Sequence, residues 1–188
     1  MTSFLRDLWV QIPGYQDNKL NAAYAAGGMK LLQKTLEHNF GIHIDGNVEV
    51  DFNRFVQIVD LLGGVEIELR SDEARYLNRA LDTQDLTAGV QTLNGKQVLC
   101  YCRIRSLDSN ADFSRTNRQR KVLDALVRKY RATGITKTLS LLDDILPMLT
   151  TDMTRMQIMG YAYELLPKIA SAQIVSQRIP ADGTFTTR

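Results

Sequence analysis

The sequence predicts one α/β (α+β) domain spanning residues 1–188, with a central mixed β-sheet flanked by helices. Three observations predict it. Strand-like and helix-like segments alternate along the chain. No internal repeat and no Ser/Gly/Pro-rich linker divides it. At 188 residues, 44% hydrophobic and 23% charged, the chain has the size and composition of a single domain. A domain of this length can bury ~70% of its unfolded surface without disulfides.

The elements follow in order. Phe4 to Ile12 reads as a strand, interrupted by the charged pair Arg6-Asp7 and ended by Pro13-Gly14. Leu20 to Ala26 is alanine-rich and reads as a short helix, broken by Gly27-Gly28. Met29 to Phe40 is a second helix, with Leu31, Leu32, Thr35, Leu36 and Phe40 at helical spacing and Gly41 as its stop. Val48 to Phe52 alternates as a strand. Arg54 to Leu62 carries Phe55, Ile58, Val59 and Leu62 on one helical face before Gly63-Gly64. Val65 to Leu69 alternates strictly and is another strand. This strand–helix–strand run leaves open whether its two strands are parallel neighbours.

Ser71 to Gly89 is polar and reads as a loop with one helical turn. Asn94 suits the N-cap of a short helix from Lys96 to Arg103. Ser106 to Ala111 is a polar loop. Asp112 or Ser114 would cap a long helix running to about Arg131. Thr138 to Leu149 and Thr154 to Ile169 are amphipathic helices, and Ala172 to Ile179 reads as a closing strand.

Composition excludes several classes. A net charge of +2 gives no global pull towards nucleic acid or towards an acidic substrate. The two cysteines, Cys100 and Cys102, stand at i, i+2, which suits no disulfide; both read as buried apolar fillers. No 18-residue apolar run spans a membrane, and Arg6 and Asp7 interrupt what would be a signal peptide. The chain enters its first strand abruptly and ends abruptly after Gly183, so we expect a fragment truncated at both ends. There is no Walker loop, no Gly-x-Gly-x-x-Gly, no Gly-x-Ser-x-Gly elbow and no zinc spacing. His38 and His43 read as structural or exposed, and the Gly-Gly pairs as helix stops.

Charge is concentrated in one stretch. Residues 101–131 hold nine Lys/Arg against three acids, a local excess of six positive charges that leaves the remainder at −4. The plain reading of a basic helix face is solvation. Here, however, the apolar stripe Val122, Leu123, Leu126, Val127 and Tyr130 steps back to Gln119, Arg115 and Asp112. Polar groups on a core-facing stripe need partners. Arginines turned inward at a helix N-terminus make an anion site, helped by orphan N–H groups and the helix dipole. Arg103 and Arg105 lie a short loop away. Several guanidiniums near one point suit a phosphate or pyrophosphate, which they bind bidentately. Arg6 either pairs with its neighbour Asp7 or reaches the same site.

Ordered motifs then carry a resemblance. Ser3-Phe4-Leu5-Arg6-Asp7, Lys19-Leu20-Asn21-Ala22-Ala23-Tyr24 with Gly27-Gly28, Val50-Asp51-Phe52 with Ile58 to Val65, Leu93-Asn94-Gly95, Tyr101, Arg103, Arg105, Asp112-Phe113-Ser114-Arg115 and Arg118-Gln119 fall in sequence. Together they resemble the LytR–CpsA–Psr family, enzymes that attach anionic polymers to the bacterial cell wall. The resemblance implies a transferase that moves an anionic glycopolymer, such as teichoic acid or capsular polysaccharide, from a polyprenyl-pyrophosphate lipid onto peptidoglycan. It implies a LytR–CpsA–Psr-like fold with an apolar tunnel for the lipid tail, and Mg²⁺ as a cofactor. By motif match, Arg6, Arg103, Arg105, Arg115 and Gln119 would hold the pyrophosphate. Arg103 and Arg105 would also act in catalysis, and Asp112 would be the general base. The family's metal-binding aspartates fall upstream of residue 1, as does its membrane anchor, so no metal ligand is assigned within the chain. The full-length protein is expected at the extracellular face of the cell membrane.

Three alternatives stand beside this reading. One is hydrolysis of the lipid pyrophosphate by water. Another is a non-catalytic polyprenyl-phosphate-binding module. The least favoured is nucleic-acid binding by the basic helix, because one face of that helix is core and aromatics are few. No nucleic-acid partner is expected.

Overall fold

The periodicities of the sequence are realised largely where they fall. The computed structural model describes residues 1–107, 111–133, 135–171, 175, 177–181 and 184, with the backbone alone at 111–113, 130, 132–133, 135–136, 138 and 169–171. In chain order the strands and helices are β1 (Thr2–Phe4), β2 (Trp9–Val10), β3 (Asn18–Lys19), α1 (Leu20–Phe40), β4 (Val48–Glu49), α2 (Phe52–Leu61), β5 (Val65–Leu69), α3 (Ser71–Leu81), β6 (Gly89–Leu93), α4 (Gly95–Arg103), α5 (Ala111–Thr133), α6 (Ile135–Ile145), β7 (Thr150–Thr151), α7 (Arg155–Ser171) and β8 (Gln177–Ile179). A 3-10 turn, Leu146–Met148, follows α6.

The fold is mixed α/β, as the sequence predicts. Among the described residues its strands pair two by two, where a central mixed sheet was expected. Most strands are only two or three residues long, too short to recruit a second neighbour. The chain divides into two compact units: residues 1–49 with 151–154 and the described residues beyond 174, and residues 50–150 with 155–173.

In the first unit, the expected strand Phe4 to Ile12 is two strands. Arg6 and Asp7 occupy the turn between β1 and β2. A charged pair is poor strand interior but good turn, and the chain doubles back here: Asn21 N–H donates to the Arg6 carbonyl and Leu20 N–H to that of Leu8. β2 runs antiparallel to β3, and β1 pairs in parallel with β8, Thr2 opposite Gln177 and Phe4 opposite Ile179. The two helices expected around Gly27-Gly28 form one span whose backbone leaves helical geometry at those two glycines. Gly41 then ends α1 in the left-handed conformation, its N–H donating to Glu37. The core of this unit is Val10, Ile12, Leu20 and Ala23, with Phe4, Leu31, Leu32, Leu36 and Phe40 packed against them. The Phe4 and Phe40 rings meet at 4.9 Å, tilted by 52°.

The second unit holds the larger core. Val65, Ile67 and Leu69 of β5 are buried while Glu66 and Glu68 face out, the alternation read from sequence. The partner of β5 is β6, antiparallel from Val65↔Leu93 to Leu69↔Gly89. So the strand before α2 is not its neighbour. The expected strand Val48 to Phe52 shortens to β4, because the Asp51 side chain accepts from Arg54 N–H and starts α2 two residues early.

The polar stretch Ser71 to Gly89 contains α3, three turns of helix, where a loop with one turn was expected. Its apolar face is narrow, with Ala74 and Leu77 buried, and its third core position is a glutamate, Glu73. An apolar count therefore undervalues it. Glu73 also starts the helix, its carboxylate accepting from Arg70 N–H at 3.1 Å. Beside it the Arg70 guanidinium holds the Asp72 carboxyl down to about 2.

Asn94 caps α4 with reciprocal bonds to Gln97, as expected from sequence. Gly95 lets α4 lie directly on α2. A Cβ there would fall on the Val56 carbonyl and come within 2.7 Å of the Val56 Cα. Asp60 reinforces the junction by accepting from Gly95 N–H at 2.7 Å. Replacing Gly95 by alanine is therefore expected to destabilise the chain by about 1–3 kcal/mol through overpacking. Denaturant unfolding measures it; a Gly95→Ala midpoint equal to wild type would show that α2 and α4 separate freely.

Candidate functional site

The site residues on the second unit are set by the end of α4 and the start of α5, which pack together. Arg103 is the last residue of α4. Ile104 follows in an extended conformation, φ −59 and ψ 127, with its side chain fully buried. Successive side chains of an extended segment alternate. Burying Ile104 therefore turns Arg105 outward; Arg103, the helical residue before Ile104, is also exposed. Neither has an ion-pair partner among the described residues. Arg103 instead lies over the Phe52 ring at 4.9 Å from its centroid. Phe52, at the first turn of α2, is 59% exposed. The sequence reading missed it as a site residue, since it counted Phe52 in a strand; the N-capping Asp51 before it was the available signal.

The phase of α5 differs from the sequence reading. Thr116, Arg118, Val122 and Ala125 are buried, whereas Gln119 is exposed and Leu123 is 47% exposed. The inward stripe thus passes through Arg118 and not Gln119. Arg115, one turn earlier, is partly buried. The apolar residues suggested the other phase because Leu123, which is exposed, was counted in the stripe that steps back to Gln119. Arg118 can occupy it because it has a partner there. Its Nε donates to Glu73 Oε1 at 2.8 Å, with the two side chains 4% and 3% exposed, and its Nη1 donates to the Ile104 carbonyl at 3.3 Å. Glu73 lay in the stretch read as loop, so this pair was not visible from sequence.

α5 begins at Ala111, so Asp112 and Ser114 sit inside its first turn and neither is its cap. The Asp112 side chain lies outside the described residues. Arg6 belongs to the first unit, where its Nε lies 3.5 Å from Asp7, and Asp7 also faces Lys19 at 3.9 Å. Arg6 is about half exposed.

Burial holds two nearby groups in their neutral forms. Burial pushes the Cys102 thiol up to about 12. Burial, with Glu73 adding to it, pushes the Tyr101 hydroxyl up to about 12 as well. Burial also raises Cys100, against the opposing charge of Arg103. Both cysteines are free, Cys102 buried and Cys100 partly so, which fits their reading as core fillers. Among the described residues, no three or more His, Cys, Asp or Glu side chains gather to hold a metal ion. His38 and His43 are exposed. His38 faces Gln11, and His43 faces Glu37 and Asp45.

Much of the basic stretch is committed elsewhere. Lys129 donates to the carbonyls of Gly63 and Gly64 at the end of α2, and Arg120 to Asn117. What stands out is a pair of exposed arginines on a segment anchored from beneath, in an α/β unit with an arginine-bearing helix beside it. Such a pair has the chemistry to hold a multiply charged anion. The chain matches the LytR_cpsA_psr family over residues 1–187, and it belongs to that family.

Among its relatives is regulatory protein MsrR of Staphylococcus aureus, 40% identical over 131 residues, which are 69% of this chain and 38% of MsrR. Another is the polyisoprenyl-teichoic acid–peptidoglycan teichoic acid transferase TagU of Enterococcus faecalis, 37% identical over 130 residues, 69% of this chain and 41% of TagU. The crystal structure of Bacillus subtilis TagT superposes with a TM-score of 0.74 at 30% identity, covering 95% of this chain and 64% of TagT. TagT has also been solved with bound octaprenyl pyrophosphate lipid, with a TM-score of 0.70 at 28% identity over 95% of this chain and 63% of that one. The chain thus spans about two fifths of the length of these curated relatives. No helix of the described residues is long and apolar enough to cross a membrane.

Proposed function

We propose that the chain is part of a transferase that moves a glycopolymer from a polyprenyl-pyrophosphate carrier onto peptidoglycan, at the outer face of the bacterial membrane. The observation that carries this is the exposed Arg103–Arg105 pair, two permanent cations that have no carboxylate partner among the described residues. Such a pair suits a pyrophosphate better than a single charge. The bound octaprenyl pyrophosphate of TagT and the transferase activity in TagU's name support it.

In this reading Arg103, Arg105, Arg115 and Gln119 hold the pyrophosphate, and an apolar tunnel takes the prenyl tail. The acceptor hydroxyl attacks the glycan-linked phosphorus. A new P–O bond forms to the acceptor, the bridging P–O bond breaks, and prenyl phosphate leaves. Arg103 and Arg105 stabilise the charge that collects on the leaving phosphate. Asp112 takes the proton of the acceptor hydroxyl as general base.

The test is product analysis with a lipid-pyrophosphate-linked glycan, with and without peptidoglycan. Glycan joined to peptidoglycan together with released prenyl phosphate is the expected result. Release at the same rate without acceptor would make the chain a hydrolase. Binding without any release would make it a lipid-binding module.

A further inference from the structure

The Glu73–Arg118 pair is the most deeply buried ion pair among the described residues, and the proposed reaction does not use it directly. Its geometry ties three elements together. Glu73 sits in the first turn of α3, where Oε2 accepts from Arg70 N–H and Oε1 accepts from Arg118 Nε. Arg118 is on α5, and its Nη1 donates to the carbonyl of Ile104. Its guanidinium also lies 5.9 Å from the centroid of the Tyr101 ring. Ile104 is the residue between Arg103 and Arg105. On α5, Arg118 directly precedes Gln119 and follows Arg115 by three residues.

A buried ion pair is weak grounds for stability, because desolvation consumes most of its Coulombic gain and an apolar pair of like volume often serves as well. Its value lies in direction. A planar guanidinium can hold a carboxylate and a carbonyl at fixed angles at once. We propose that Glu73 and Arg118 are positioning residues that set the spacing of Arg103 and Arg105 relative to Arg115 and Gln119, and so tune the site for two linked phosphates. The inference rests on the pyrophosphate reading of those arginines.

The experiment compares geranylgeranyl pyrophosphate with geranylgeraniol, which has the tail and no phosphate, on the wild-type chain and on Glu73→Leu/Arg118→Met. The paired substitution removes both charges and leaves apolar volume behind, so folding is kept. We expect pyrophosphate affinity to fall about tenfold or more, since small misplacement of a charge-assisted contact is costly. Geranylgeraniol affinity is expected to stay within about twofold of wild type, because the tail does not sense the guanidinium spacing. A purely structural role would lower both alike, and unchanged pyrophosphate affinity would contradict positioning; either result overturns the proposal. Should the paired variant fail to fold, Arg118→Lys decides. It keeps a cation beside Glu73 but gives up the fork that reaches Ile104, and the same selective loss is expected; wild-type selectivity in Arg118→Lys overturns the inference. A wild-type chain that prefers geranylgeranyl pyrophosphate no more than geranylgeraniol would instead fail the pyrophosphate reading itself, a result distinct from either.

Discussion

Replacing Arg103 and Arg105 together by alanine is expected to abolish measurable binding of a prenyl pyrophosphate while leaving the fold intact. Each arginine can supply charge-assisted hydrogen bonds of about 1.5–3 kcal/mol. Losing both would therefore cost on the order of 3–6 kcal/mol, roughly 10²–10⁴ in affinity. Stability should hold because both side chains are exposed, and the segment is anchored by Ile104 rather than by them. Arg103 gives up its contact with the Phe52 ring, which at an exposed site is worth about 0.5–1 kcal/mol. Calorimetric titration alongside thermal unfolding separates the two effects. A double variant that binds as wild type would remove the pyrophosphate from these residues.

The largest effect on stability is expected at the buried pair. Glu73→Leu alone leaves the Arg118 guanidinium in the core without its carboxylate. Breaking such a pair costs about 3–5 kcal/mol, a large share of the stability of a domain this size. Arg118→Met is expected to cost less. A lone carboxyl can shed its charge by binding a proton, whereas a guanidinium cannot lose its own. The double variant should recover most of the loss, giving a coupling energy of opposite sign to the two single effects. Denaturant unfolding of the four proteins tests this. Equal, additive losses would mean that the pair is solvated in solution.

Arg103 and Arg105 touch the ligand in the proposed reaction, whereas Arg118 reaches the backbone between them at the Ile104 carbonyl and Glu73 acts through Arg118. Binding should therefore respond to the exposed pair without a change in unfolding. The buried pair should show in unfolding when broken singly and in binding selectivity when replaced together.

Where a local rule decides structure, the sequence was readable. Asn94 and Gln97 satisfy each other's backbone, so α4 starts where the cap lies. Gly41 accepts a left-handed backbone and ends α1. β5 shows a strict period of two because one of its faces is core. The cluster of arginines and its ordered motifs were equally legible, since chemistry and spacing are properties of the chain itself.

Three features were beyond it, each for a physical reason. β1 pairs with β8 across more than 170 residues, and the partner of a strand is not encoded in the strand. β5 pairs with β6 on the far side of α3, not with the strand nearest in sequence before it. The phase of α5 depended on a charge in the core. An apolar pattern assigns Arg118 to solvent, and only its meeting with Glu73, from a stretch too polar to announce a helix, makes burial affordable. The sequence alone determined where its basic residues cluster and which local turns would hold. The tertiary structure decided which arginine is buried and which two are turned out. That choice depends on partners distant along the chain, and burial of a charge is set by the partner it meets.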